Sequence, residues 1–159
     1  MARSRNSSEK DSHIRLLLAA FLIAFSLQLS ADELKPFTTD GCSSFPDGTL
    51  KQKSLWINCC IRHDLAYWKG GTYQQRLEAD LSLEQCVSKV GEPEVAKLML
   101  AGVRVGGSPY WPTSYRWGYG WSYPRGYDAL TDGEKAQVKT QLKLFELLIR
   151  GIREEILPK

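Results

Sequence analysis

The sequence predicts a mainly α-helical domain behind an N-terminal targeting segment, and three observations carry that reading. Segments 54–68, 72–90, 93–105 and 131–156 keep apolar residues at helical spacing with no proline beyond a first turn. Punctuation residues close them, with Gly70-Gly71 after the first and Gly106-Gly107 after the third. Alternation with a period of two is confined to one aromatic stretch near residue 120. At 159 residues, 43% apolar and 25% charged, the chain can bury one core and is too mixed for a disordered or collagen-like protein.

The N-terminus reads as an address. Arg3, Arg5, Lys10 and Arg15 precede the apolar run Leu16 to Leu29, and Ser30-Ala31 lead into polar Asp32. A basic leader, a short apolar run and a small residue describe a secretory signal peptide cut after Ala31. The run is short of the roughly 20 apolar residues of a membrane span. Leu29, three residues before the cut, is bulkier than usual there, so a retained anchor is the lesser alternative. The net charge of +3 falls largely with this segment: residues 32–159 carry 17 basic and 16 acidic side chains. Charge therefore marks no nucleic-acid partner. The expected location is outside the cytoplasm, secreted or periplasmic, where Cys42, Cys59, Cys60 and Cys86 can form disulfides.

The elements of the domain follow in order. Residues 32–51 are rich in Pro, Gly, Asp, Ser and Thr and read as irregular, with a turn at Pro46-Asp47-Gly48 that accounts for Asp47. A first helix covers 54–68, and Thr72 caps a second running to about Val90. Three linking residues make the pair antiparallel and in contact. A third helix runs from Pro93 to Val105. Thr131 and Glu134 form a capping box for the last, which runs to about Ile156 with Val138, Leu142, Phe145, Leu148 and Ile152 on one face.

Chemistry concentrates in the first two helices. Residues four apart share a helix face, so Cys59, His63 and Tyr67 form one stripe and Cys60 and Asp64 the next. Facing positions of an antiparallel pair have a constant index sum, and Cys59 with Cys86 and His63 with Asp80 fit one register within about one 1.5 Å step. That favours a Cys59–Cys86 disulfide between the helices and Cys42–Cys60 to the preceding loop. Asp80 can then orient His63 and leave its other nitrogen to take a proton from water. Asp64 points toward the loop carrying Asp40 and Asp47, whose oxygens suit a hard cation such as Ca²⁺. A base, its orienting carboxylate and an oxygen-bound cation make a site for ester hydrolysis.

Cys59-Cys60-x-x-His63-Asp64, with Tyr67 four residues after the histidine and Asp80 six before Cys86, resembles the active site of secreted phospholipase A2. The resemblance spans Asp40 to Val87 and implies calcium-dependent hydrolysis of the sn-2 ester of glycerophospholipids at a membrane or micelle surface. It implies His63 as general base, Asp80 as its orienting carboxylate, Tyr67 as hydrogen-bond donor to Asp80, and Asp64 as a Ca²⁺ ligand. Two features depart from the animal members. Ala66 and Ala79 stand where those have a disulfide, which would let the helix backbones approach closely. The Gly-rich calcium loop is absent, and Asp40-Gly41-Cys42 looks more like the bacterial and fungal branch, which implies Asp40 and the Gly41 carbonyl as the remaining ligands.

Plainer readings stand beside these. His63 could be a buried structural histidine, and Cys60-x-x-His63 with Cys42 and Cys86 a zinc site. Arg62 and Arg76 read as solvated helix residues. Residues 108–127 hold eight of the seventeen aromatics and no acid. Trp117, Tyr119, Trp121 and Tyr123 alternate with small residues, which would suit a short β-hairpin with one aromatic face. That face could meet lipid headgroups, with Arg116 and Arg125 toward phosphates, or pack as core. The alternatives to an enzyme are a non-catalytic lipid- or partner-binding protein of the same fold and an exported envelope protein that binds glycan.

Overall fold

A computed structural model describes residues 32–156; the signal-peptide reading lies outside the described residues. Four helices follow in order: α1 Ile57–Lys69, α2 Tyr73–Lys89, α3 Pro93–Gly106 and α4 Asp132–Ile156. There is no strand among the described residues, and none of their helices is long and apolar enough to cross a membrane.

The helix ends are set by local chemistry. The Thr72 hydroxyl accepts from the Gln75 N–H while the Gln75 side chain accepts from the Thr72 N–H, a reciprocal cap that starts α2. Thr131 and Glu134 repeat the arrangement at α4. Pro93 opens α3, where its missing N–H costs nothing. α1 starts three residues later than its apolar pattern, because residues 54–56 are drawn into the loop: Trp56 N–H donates to the Asp47 carbonyl and its indole to Pro46.

Two apolar clusters hold the elements together. One joins Cys42, Trp56, Cys59, Cys60, Leu83, Val87, Ala96 and Met99, where α1, α2 and α3 meet. The other joins Leu34, Trp68, Trp121 and Val138, and fastens the N-terminal segment and the start of α4 to α1. Disulfides Cys42–Cys60 and Cys59–Cys86 are both formed, with Cα–Cα distances of 5.1 and 5.7 Å. The chain therefore suits an oxidising compartment. With all four cysteines bonded there is no thiolate for zinc, which removes that reading.

The aromatic segment forms turns rather than the expected hairpin. Its backbone donors go to the end of α1: Gly118 N–H donates to the Tyr67 carbonyl at 2.6 Å and Gly120 N–H to that of Trp68 at 3.1 Å. Indole N–H groups of Trp117 and Trp121 donate to the carbonyls of Gly71 and Lys69. The orphan carbonyls of a helix C-terminus are thus capped by a distant loop, which uses the donors a second strand would need. The approach is close: a Cβ on Gly70, whose φ is +67°, would stand 2.9 Å from Gly118 Cα. Trp117 and Trp121 are core, whereas Tyr123 is exposed.

Three arginines depart from the sequence reading for one reason, since buried carbonyls and carboxylates need donors. Arg116 is buried and donates to the carbonyls of Trp117, Gly118 and Trp121. Arg125 pairs with Glu134 at 2.6 Å and lies over the Trp121 ring. Both are therefore taken up within the fold and do not offer a phosphate-binding face. Arg76 is buried, not solvated, and is described with the site. The apolar stripe of α4 leaves the core along its length: Val138 is buried, Phe145 is partly exposed with its ring edge-on to Phe37 at 5.6 Å, and Leu148 and Ile152 lie exposed beyond it.

Candidate functional site

The α1–α2 register brings His63 and Asp80 together. His63 Nε2 lies 3.1 Å from Asp80 Oδ1, and the Tyr67 hydroxyl donates to the same oxygen at 2.7 Å. Asp80 is fully buried and His63 nearly so. A carboxylate on Nε2 places that nitrogen's proton in the hydrogen bond and leaves the lone pair on Nδ1. Nδ1 has no protein partner among the described residues. Burial, followed by the charge of Asp80, pushes the Tyr67 phenol far above its ordinary range, so it stays a donor.

Arg76 supports this pair from one turn before Asp80. Its Nε donates to the Tyr67 oxygen at 3.1 Å, and its Nη2 donates to the carbonyls of Val103 and Arg104 at 2.8 Å each. Arg104, on α3, brings its Nε to 3.0 Å from Asp80 Oδ2. Neither arginine figures in the motif. The i, i+4 spacing of Arg76 and Asp80 could have suggested the first, whereas Arg104 reaches Asp80 only through the packing of α3 on α2.

Among the described residues three cavities border α1, and two of them meet at Asp64. The larger of these two, about 340 Å³, is lined by His63 and Tyr67 on one side and by Phe45, Leu98, Met99 and Val103 on the other. Leu98 is 61% exposed and stands where that cavity meets solvent. The smaller, about 170 Å³, has a wall of oxygen donors: Thr38, Thr39, Asp40, Ser43 and Asp64. Burial pushes the Asp64 carboxyl up to about 6, although the Thr39 hydroxyl donates to it at 2.6 Å and pulls the other way. Asp40 accepts from Ser43 at 2.7 Å. Gly41, with φ of +80°, borders the larger cavity instead, and Asp47 is occupied as turn chemistry, accepting from the Cys42 N–H at 2.8 Å.

Two carboxylates with hydroxyl oxygens around them suit a hard divalent cation and offer nothing to a thiophilic one. No cluster of three or more His, Cys, Asp or Glu occurs among the described residues, so carbonyls, hydroxyls or water would complete such a shell. Ala66 and Ala79 both line an open cleft of about 580 Å³, which Arg62, His63, Ser82 and Lys89 also border. Compared with models of known families, with curated proteins and with solved structures, the chain matches none.

Proposed function

We propose that this chain is an exported, phospholipase A2-like hydrolase that cleaves the sn-2 ester of glycerophospholipids with the help of Ca²⁺. One observation carries the reading: an imidazole held at Nε2 by a buried carboxylate, with Nδ1 left free, in the wall of an apolar cavity next to a pocket of oxygen donors. His63 Nδ1 takes a proton from water as the water oxygen bonds to the ester carbonyl carbon, and Asp80 stabilises the imidazolium that forms. When the tetrahedral adduct collapses, the carbon–oxygen bond to glycerol breaks and the proton passes from Nδ1 to the leaving alkoxide. The products are a fatty acid and a lysophospholipid. Phe45, Leu98, Met99 and Val103 give the acyl chain an apolar wall. Asp64 and Asp40 are the residues to hold the cation, with the hydroxyls of Thr39 and Ser43 beside them, whereas Gly41 lines the neighbouring cavity. Ca²⁺ bound there would polarise the ester carbonyl.

The partner surface is phospholipid, and exposed Leu98, Val105, Tyr110 and Trp111 suit its headgroup region. His63→Gln should abolish chelator-sensitive release of fatty acid from sn-2-labelled vesicles, and undiminished release would end the proposal. Asp64→Lys should remove Ca²⁺ binding measured by calorimetry. The presence of only two carboxylates in the oxygen pocket favours a second reading, a non-catalytic lipid-binding protein. A wild-type chain that binds vesicles, releases no fatty acid and melts at the same temperature with and without Ca²⁺ would select it.

A further inference from the structure

We infer that Arg104 is a positioning residue for the His63 base, acting through the oxygen of Asp80 that His63 does not use. The inference deepens the hydrolase reading and rests on it. A carboxylate has two oxygens, and the described contacts of Asp80 divide between them. Oδ1 takes His63 Nε2 at 3.1 Å and the Tyr67 hydroxyl at 2.7 Å. Oδ2 faces Arg104 Nε at 3.0 Å, with Arg76 Nε farther off at 3.9 Å. Asp80 is fully buried, so Oδ2 has no water to turn to, and an uncompensated charge there would carry a large desolvation cost.

Arg104 is itself held at both ends. Its Nη2 donates to the Leu77 carbonyl at 3.2 Å, and its own carbonyl accepts from Arg76 Nη2 at 2.8 Å. The two arginines therefore cross between α2 and α3 in opposite directions, each reaching backbone oxygens of the other helix. Arg76 spends its donors on Tyr67, Tyr127 and the α3 carbonyls, which leaves Arg104 as the nearest cation to Oδ2. The Arg104 N–H is not aimed at Oδ2, and neither atom has an aligned hydrogen-bond partner. The pairing is therefore one of charge against charge. With it, the carboxylate is fixed at both oxygens and its plane cannot turn away from the imidazole. Without it, Oδ2 would be drawn toward Arg76, and Oδ1 would swing off Nε2.

A charge role and a packing role predict different variants. Arg104→Met keeps the aliphatic reach and removes the charge, whereas Arg104→Lys keeps the charge and loses the bond to Leu77. The first readout is the His63 tautomer, followed by long-range ¹H–¹⁵N correlation of the imidazole. With only two histidines in the sequence the signal is readily assigned. Wild type should show the Nε2–H form; R104M should show a mixture of tautomers and R104K the wild-type form. The second readout is turnover of vesicle substrate. R104M should lose about 10–100-fold in kcat with KM changed less than about twofold, the scale typical of partners that orient a site ligand, and R104K should recover most of it.

Wild-type tautomer and kcat in R104M would overturn the inference, and so would R104K as impaired as R104M. If R104M does not fold, R104Q takes its place under the same criteria. Should the wild-type chain prove inactive on phospholipid, the hydrolase reading fails by itself. The tautomer comparison then still decides whether Arg104 positions His63.

Discussion

Removal of the Tyr67 oxygen tests the buried polar network most directly. Tyr67→Phe deletes a donor to Asp80 at 2.7 Å and an acceptor from Arg76 at 3.1 Å, and nothing else that is well placed. The ring keeps its edge contact with Trp117 at 5.1 Å and its packing beside His63 at 4.1 Å. Hydrogen bonds to charged groups contribute about 1.5–3 kcal/mol each, and a buried charge left without any partner costs more. Here neither charge is abandoned. Asp80 retains His63 and Arg104, and Arg76 retains Tyr127 and two carbonyls. The expected loss is therefore about 2 kcal/mol, nearer one charged hydrogen bond than two. In a urea titration with a slope of about 2 kcal/mol/M the midpoint should fall by about 1 M with the slope unchanged. Turnover should drop about tenfold or less, because His63 stays on Oδ1. A loss under about 0.5 kcal/mol would refute the claim that this oxygen organises the site, and a loss above about 4 kcal/mol would mean that packing, not hydrogen bonding, is at stake.

Three further outcomes follow from the same geometry. Gly107→Ala sets a methyl group 2.8 Å from Tyr67 Cζ, so it should cost about 1–3 kcal/mol in a thermal or urea melt and impair turnover along with stability. Glu134 is pulled down to about 2, chiefly by its bond to Arg125. A carboxylate depressed in the folded state stabilises above its unfolded pKa and loses that contribution as pH falls from about 4.5 toward 2. Glu134→Gln should therefore cost about 1 kcal/mol at neutral pH, the modest figure reflecting solvent screening and the surviving cap, with the gap to wild type closing in acid melts. Replacing Cys42 and Cys60 together by Ala frees a loop of 18-residue span and should lower stability by about 3 kcal/mol. If the hydrolase reading holds, Ca²⁺ binding should weaken with it, because Asp40 lies two residues before the freed Cys42.

Much of this architecture was legible because the signals are local. Thr72, Pro93, Gly70-Gly71 and the Thr131–Glu134 box each act within one turn, so the helix limits could be read to within three residues. The disulfide pairs and the His63–Asp80 contact followed from antiparallel arithmetic over a short connection. What escaped depends on distance. Trp117 to Trp121 alternate like a strand, but their donors answer carbonyls of α1 some fifty residues earlier, and no window of sequence contains both. Arg76 and Arg104 look like surface arginines until α3 is laid on α2. The last turns of α4 repeat apolar residues as regularly as its first, and only the extent of the second core separates buried Val138 from exposed Ile152.

The placing of the tryptophans makes the molecule its own optical instrument. Trp56, Trp68, Trp117 and Trp121 are buried, each with its indole N–H on a backbone carbonyl, whereas Trp111 is 57% exposed. Four emitters thus report whether the scaffold is intact. The fifth, four residues from the cavity-lining Tyr115, reports what approaches its surface. Acrylamide should quench chiefly Trp111, and shielding or no shielding of that one fluor by vesicles would show whether this side meets lipid, without any attached label.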